Sequence, residues 1–209
     1  MSFCYEEWQP YAYVDENKEN TGITVNYLKR KLTVANIRYQ FTELPFPRCR
    51  EAVLSGQLDF ILHIDDTDNF QMLDHAISHW QLTFAVSMNS TLTFDDIINS
   101  QGLKVLMARS YNYPLTLEDK LRSMAAKTIK VSFYTSEIVA LKRLFHRLTV
   151  GQGDAMVVDK IWAQKVIEQH QLPIKLFDQI VVSVPQFIGY NRGNEQKAQR
   201  LSLALAENK

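Results

Sequence analysis

The stretch Arg50-Glu51-Ala52-Val53-Leu54-Ser55-Gly56-Gln57-Leu58-Asp59-Phe60-Ile61-Leu62 decides the fold, because its plan returns about ninety-five residues later. There the helix-period segment Glu137 to Leu148 runs into Gly151-Gln152-Gly153-Asp154 and then Ala155-Met156-Val157-Val158. In both copies an apolar strand follows a Gly and, three residues on, an Asp. Such a Gly can end a helix in the left-handed conformation, and such an Asp can tie down the turn before a buried strand. Two similar helix, turn and strand units predict two similar lobes.

Outward from this repeat, short apolar runs alternate with helix-period segments, the pattern of an α/β protein. Strands are expected at Ser2 to Tyr5, Arg38 to Thr42, Leu58 to Leu62, Leu82 to Met88, Leu103 to Met107, Lys130 to Phe133, Ala155 to Val158 and Val181 to Tyr190. One helix is expected from Thr21-Gly22 through Val25, Leu28 and Leu32, and another over Arg48 to Leu54. Ile138, Leu141, Leu144, Phe145 and Leu148 fall on one face of a third, at the spacing that packs a helix on a sheet. No Pro/Gly/Ser-rich linker separates the halves. The crossings are therefore expected in the extended stretches Leu82 to Met88 and Val181 to Pro185, a two-strand hinge. This division gives a discontinuous first lobe, 1–84 with 185–209, and a second lobe, 85–184.

Composition narrows the function. Lys+Arg and Asp+Glu both number 23, so no basic excess is available to neutralise nucleic-acid phosphates. No run of about 18 apolar residues is present to span a bilayer. The five His residues form no HExxH-type pair, the two Cys fit no zinc ligand set, and no metal or other cofactor is expected. There is no Gly-x-Ser-x-Gly elbow, P-loop or Rossmann glycine motif, so the chain does not read as an enzyme. Cys4 and Cys49 allow two readings: two buried thiols, or one disulfide from the end of the first strand to the start of the second helix. The second reading implies an oxidising compartment. The chain enters a strand directly after Met1-Ser2, which is expected if a targeting segment has been removed; a cytosolic protein is the alternative.

Several of these segments, in order, resemble the type II periplasmic solute-binding proteins, in particular the family 3 proteins that serve polar amino-acid ABC transporters. Tyr5-Glu6-Glu7-Trp8-Gln9-Pro10-Tyr11 is similar to the family's first strand and its aromatic-x-Pro-aromatic turn. Thr21-Gly22-Ile23-Thr24-Val25-Asn26-Tyr27-Leu28 resembles its first helix start, with Thr24 and Asn26 in place of two Asp. Ser55-Gly56-Gln57-Leu58-Asp59 and Gly151-Gln152-Gly153-Asp154-Ala155 match its two turns. The resemblance implies a two-lobed Venus flytrap in the periplasm. It would bind a small polar solute, deliver it to the membrane subunits of an ABC transporter and act as a monomer. A ligand-sensing domain of a signalling receptor and an enzyme on the same fold are the alternatives.

The resemblance also implies a site. Trp8, flanked by Glu7 and Tyr11, stands where the family stacks an aromatic on its ligand; core packing is the plainer role for such a ring. The family's Thr-x-Thr-x-x-Arg segment aligns its Thr positions with Asp66 and Asp68 and its carboxylate-gripping Arg with Gln71, so that clamp is missing. Arg109 and Arg48 are the candidates to replace it, or else are surface residues. Ser110, Tyr111 and Asn112 occupy the place of a Ser-Gly-Thr ligand loop. Asp159 aligns with the acceptor of the ligand's amino group, although an Asp at a strand end is as readily a cap.

Overall fold

The computed structural model describes residues 1–65, 68, 70–109, 113–131 and 137–206, with the backbone alone for 130, 131, 137, 138, 140 and 141. In chain order the first elements are β1 (Ser2–Tyr5), β2 (Tyr13–Val14), β3 (Asn20–Thr21), α1 (Ile23–Val34), β4 (Gln40–Glu43), α2 (Phe46–Leu54), β5 (Phe60–Ile64), β6 (Gln71–Met72) and β7 (Ser78–Ser87). Next come α3 (Phe94–Asn99), β8 (Lys104–Ala108), α4 (Leu115–Ser123), β9 (Lys127–Val131), α5 (Glu137–Thr149) and β10 (Ala155–Asp159). The chain finishes with α6 (Lys160–His170), β11 (Ile174–Leu176), β12 (Val182–Tyr190) and α7 (Glu195–Ala206). No helix among the described residues is long and apolar enough to cross a membrane.

Two compact units result: residues 1–80 with 185–209, and residues 81–184. The chain passes from the first to the second within β7 and returns within β12.

In the first unit β4, β1 and β5 run parallel, and β12 joins β5 antiparallel. Alternation along β1 decides what each face buries, since successive side chains point to opposite sides of a strand. Phe3 and Tyr5 enter the core built with Val25, Leu28 and Leu32 of α1 and Leu201 and Leu205 of α7. Phe3 stacks between Phe41 and Phe60 on the neighbouring strands, at 5.1 Å from each ring. Cys4 points to the opposite face, into a smaller cluster with Cys49 and Val53 of α2 and Ile61 and Ile64 of β5. There Cys4 and Cys49 are joined by a disulfide with Cα atoms 5.5 Å apart, both residues fully buried.

In the second unit β10 lies between β8, to which it runs parallel, and β7, to which it runs antiparallel. β9 extends the sheet beside β8, and β11 pairs with the other side of β7. Leu144, Phe145 and Leu148 of α5 pack on Leu106 and Met156, and Phe145 stacks on Trp162 of α6 at 5.7 Å.

Several boundaries differ from the sequence expectation for local reasons. The strand expected at Leu58 starts at Phe60, because Leu58 and Asp59 are used in the turn. The strand expected at Lys130 starts at Lys127, where it pairs with Lys104 at the beginning of β8. The strand expected at Leu82 starts earlier, at Ser78. The short helix α3, which periodicity does not reveal, is set by a capping box: Thr93 accepts from the Asp96 N–H, and Asp96 accepts from the Thr93 N–H.

Candidate functional site

At the carboxyl end of β1 the chain makes a tight turn from Trp8 to Ala12. The Trp8 carbonyl accepts from the N–H groups of Tyr11 and Ala12, at 2.7 and 2.9 Å, and the Trp8 N–H donates to the Ala12 carbonyl at 2.8 Å. The first turn of α1 holds this turn in place, because the Ile23 and Thr24 N–H groups donate to the carbonyls of Pro10 and Tyr11, each at 2.9 Å. Helix-start donors that would otherwise need a cap are satisfied this way. The approach demands glycine at position 22. Its φ is +117°, and a Cβ there would lie 2.4 Å from the Tyr11 oxygen.

The turn presents Trp8 within a cluster of rings. The Trp8 indole lies 4.5 Å from Tyr11, 5.1 Å from His63 and 6.0 Å from Trp80, measured between centroids. Tyr11 and Trp80 are buried, whereas Trp8 and His63 keep part of their surface exposed. The Trp8 Nε1–H is shielded from solvent and finds no acceptor among the described residues. An indole donor left without a partner is costly.

His63 reaches this cluster because β5 is irregular. Against β12, Ile188 pairs with Leu62 and Phe187 with Ile64, which leaves His63 as the extra residue of a β-bulge. Its φ is +59°, a conformation that costs a residue with a Cβ roughly 1–2 kcal/mol. His63 Nε2 shares a hydrogen bond with Thr24 Oγ1 at 2.9 Å. Packing around the ring pushes the imidazole pKa down to about 3 through desolvation, so it is neutral at physiological pH. His63 carried no signal in the sequence as part of a site, since an alternating strand would turn it away from Leu62 and the bulge cannot be read from the residues.

Carboxylates gather beside the same turn. Glu7 is exposed and accepts from Gln9 Nε2 at 3.2 Å, and Glu6 accepts from the Phe46 N–H at 2.9 Å. Glu43, at the end of β4, accepts from the Val14 N–H at 3.2 Å. Burial first, and then the Glu7 carboxylate, push the Glu43 pKa up against that hydrogen bond. Tyr5, whose hydroxyl donates to Asn20 Oδ1 at 2.6 Å, is raised by burial and then by Glu43 and Glu7. Lys29 stands at the same edge, its ammonium donating to the Asn20 carbonyl.

The other residues singled out from the sequence are spread more widely. Tyr11 is inside the first unit, its hydroxyl 3.5 Å from the His79 carbonyl. Arg48 is exposed on α2, and Gln71 is exposed on β6 opposite Tyr190. Arg109 is exposed directly after β8, and Asp159 ends β10, the parallel neighbour of β8. Asp159 is buried and caps α6, its Oδ1 accepting from the Trp162 N–H at 2.8 Å. Asp66, Ser110, Tyr111 and Asn112 lie outside the described residues. Among the described residues no group of His, Cys, Asp and Glu could hold a metal ion.

No protein-family model matches the chain, and no curated protein matches it. Solved structures do. A probable amino-acid ABC transporter extracellular-binding protein from Bacillus subtilis matches with a TM-score of 0.79 and 14% identity, over 98% of this chain and 90% of that one. The second substrate-binding domain of a putative amino acid ABC transporter from Streptococcus pneumoniae matches at 0.74 and 17%, over 98% and 91%. A histidine kinase sensor domain with similarity to periplasmic binding proteins matches at 0.67 and 17%, over 99% and 88%. The chain has the two-lobed type II periplasmic-binding-protein fold of these structures.

Proposed function

We propose that the protein is an extracytoplasmic solute-binding protein that closes on a small polar solute and delivers it, as a monomer in the periplasm, to the membrane subunits of an ABC transporter. The observation that carries the reading is Trp8. It is a half-buried residue just beyond the carboxyl end of β1, the edge where α/β sheets meet ligands, in a fold shared with transporter binding proteins. Its setting favours a cation. Glu7 is its chain neighbour, with Glu43 near Glu7, and an indole face holds an ammonium group with about 0.5–2 kcal/mol. In the second lobe, residues 85–184 in this reading, Asp159 stands where the resemblance places the acceptor for a ligand amine, with one oxygen engaged in capping α6.

The carboxylate side of an amino acid is less well served. Gln71 stands where the resemblance places a guanidinium, and losing a charged hydrogen bond costs about 1.5–3 kcal/mol, roughly ten- to hundredfold in affinity. The solute is therefore an amine or a hydroxyl-rich molecule rather than an ordinary α-amino acid. Closure follows if the ligand touches both lobes, because it then shifts the population toward the closed state.

Calorimetry against the twenty amino acids, a set of amines and a set of neutral polyols tests this. The expected result is preferred binding of an amine or polyol, weakened by Trp8→Ala. Micromolar binding of a standard amino acid, lost in Arg109→Ala or Arg48→Ala, would instead show that the carboxylate clamp has moved. A second reading, a ligand-sensing domain of a signalling receptor, is favoured by the similarity to the histidine kinase sensor domain. Both readings share the capture step, and an enzymatic role would appear as turnover of the bound solute by NMR.

A further inference from the structure

We propose that His63 is a positioning residue: it sets the orientation of the Trp8 indole, and through it the selectivity of the lobe that Trp8 serves. The effect on ligands rests on the solute-binding reading above, whereas the effect on Trp8 does not.

The geometry has three parts. The bulge in β5 takes His63 out of the pairing with β12 and turns its ring toward the Trp8 turn. The bond to Thr24 Oγ1 then fixes the ring to the first turn of α1, the same turn whose Thr24 N–H holds the Tyr11 carbonyl. Held at both ends, the imidazole meets Trp8 edge-on at 88° and Tyr11 at 69°. The prop is neutral, since desolvation keeps the imidazole uncharged, and so it supports the indole without placing a cation under it.

The backbone separates this role from simple packing. A bulge residue with φ of +59° is best supplied by glycine, which adopts that conformation without steric cost. The chain instead carries a ring there, inside a strand, whereas Lys18, Asn36, Ala125 and Gln171, which share the conformation, lie in turns, bends or helix ends. His63→Gly therefore relieves the backbone while removing the prop. Thr24→Val keeps the ring and cuts its anchor.

The test uses the full chain, labelled with nitrogen-15, and reads the indole N–H resonances of Trp8, Trp80 and Trp162, with Trp8 assigned through Trp8→Phe. In His63→Gly the relief of backbone strain is offset by loss of the packed ring and of its bond to Thr24, so the melting temperature is expected to fall slightly. The Trp8 resonance is expected to broaden, beyond the shift that loss of the His63 ring current alone produces, while Trp162, in the second unit, stays in place. Thr24→Val is expected to move the Trp8 resonance in the same direction by a smaller amount. A Trp8 resonance that stays sharp in His63→Gly and unmoved in Thr24→Val overturns the proposal, as does a drop in melting temperature accompanied by movement of Trp162, the sign of general loosening. The ratio of affinities for the best amine or polyol and for a weaker member of the same screen is expected to fall at least fivefold in His63→Gly; an unchanged ratio with a displaced Trp8 overturns the selectivity half. The indole readout needs no ligand, so failure of the solute screen and failure of this assignment are separate results.

Discussion

Asp59 and Asp154, the acids of the two repeated turns, make the same backbone clip in different surroundings. Asp59 Oδ2 accepts from the N–H of Ser2 at the start of β1, at 2.8 Å, and its own N–H donates to the Ser2 carbonyl at 3.2 Å. Asp154 Oδ2 accepts from the N–H of Lys104 at the start of β8, at 2.7 Å, and its N–H donates to the Lys104 carbonyl at 2.9 Å. Each acid thus locks its own strand in register with a parallel neighbour. Asp154 remains exposed. Asp59 is buried, because the returning chain adds β12 and α7 to the first unit, where Lys197 donates to its carboxylate and the Asn194 side chain to its carbonyl. A repeated local solution thus acquires its energetic weight from what is packed over it.

The disulfide is the largest difference between the units, since both cysteines belong to the first. Breaking it as Cys4→Ala/Cys49→Ala is expected to cost about 3–4 kcal/mol, the loop-closure value for a span of this length. Hydrogen exchange should show β1, β4 and β5 losing protection while β8 and β10 keep theirs. Equal losses in both units would mean that they unfold as one.

The two clips come next. Asp59→Ala leaves the Ser2 N–H and Lys197 without their acceptor and is expected to cost about 2–3 kcal/mol in urea unfolding, with the ion-pair share reduced because Lys197 is half exposed. Asp154→Ala should cost about 1 kcal/mol, as water can replace an exposed acceptor. Costs in the reverse order would show that burial by α7 is not what separates the two.

Acid sharpens the same contrast by a smaller margin. Burial pushes the Asp59 pKa up, but the hydrogen bonds from Lys197 and from the Ser2 N–H and hydroxyl outweigh it and hold the carboxyl below its ordinary value. A depressed folded-state pKa contributes stability that is complete above the unfolded value, about 4, and is lost as pH falls through the folded one. Asp59→Asn is therefore expected to flatten the decline in melting temperature below about pH 4. A decline as steep as in the wild type would remove Asp59 as its source.

Much of the fold was legible. Gly56 and Gly151, read as left-handed helix ends, have φ of +79° and +75°. The apolar face of α5 buries Leu144, Phe145 and Leu148 as its spacing implies. Less of the candidate site could be read. Trp8 and Tyr11 stand out by residue type and position, but His63 enters only through a bulge in β5, and Trp80 arrives from a strand start that periodicity placed at Leu82.

The sequence alone determined the α/β class, the repeated helix, turn and strand unit and the residues that end its helices, because these rest on periodicity and on the conformational preferences of single residues. The tertiary structure alone decided that Cys4 and Cys49 lie within bonding reach, that Asp59 is covered while Asp154 is not, and that His63 turns toward Trp8. Each of these depends on elements far apart in the chain, and no local preference records which of them will meet.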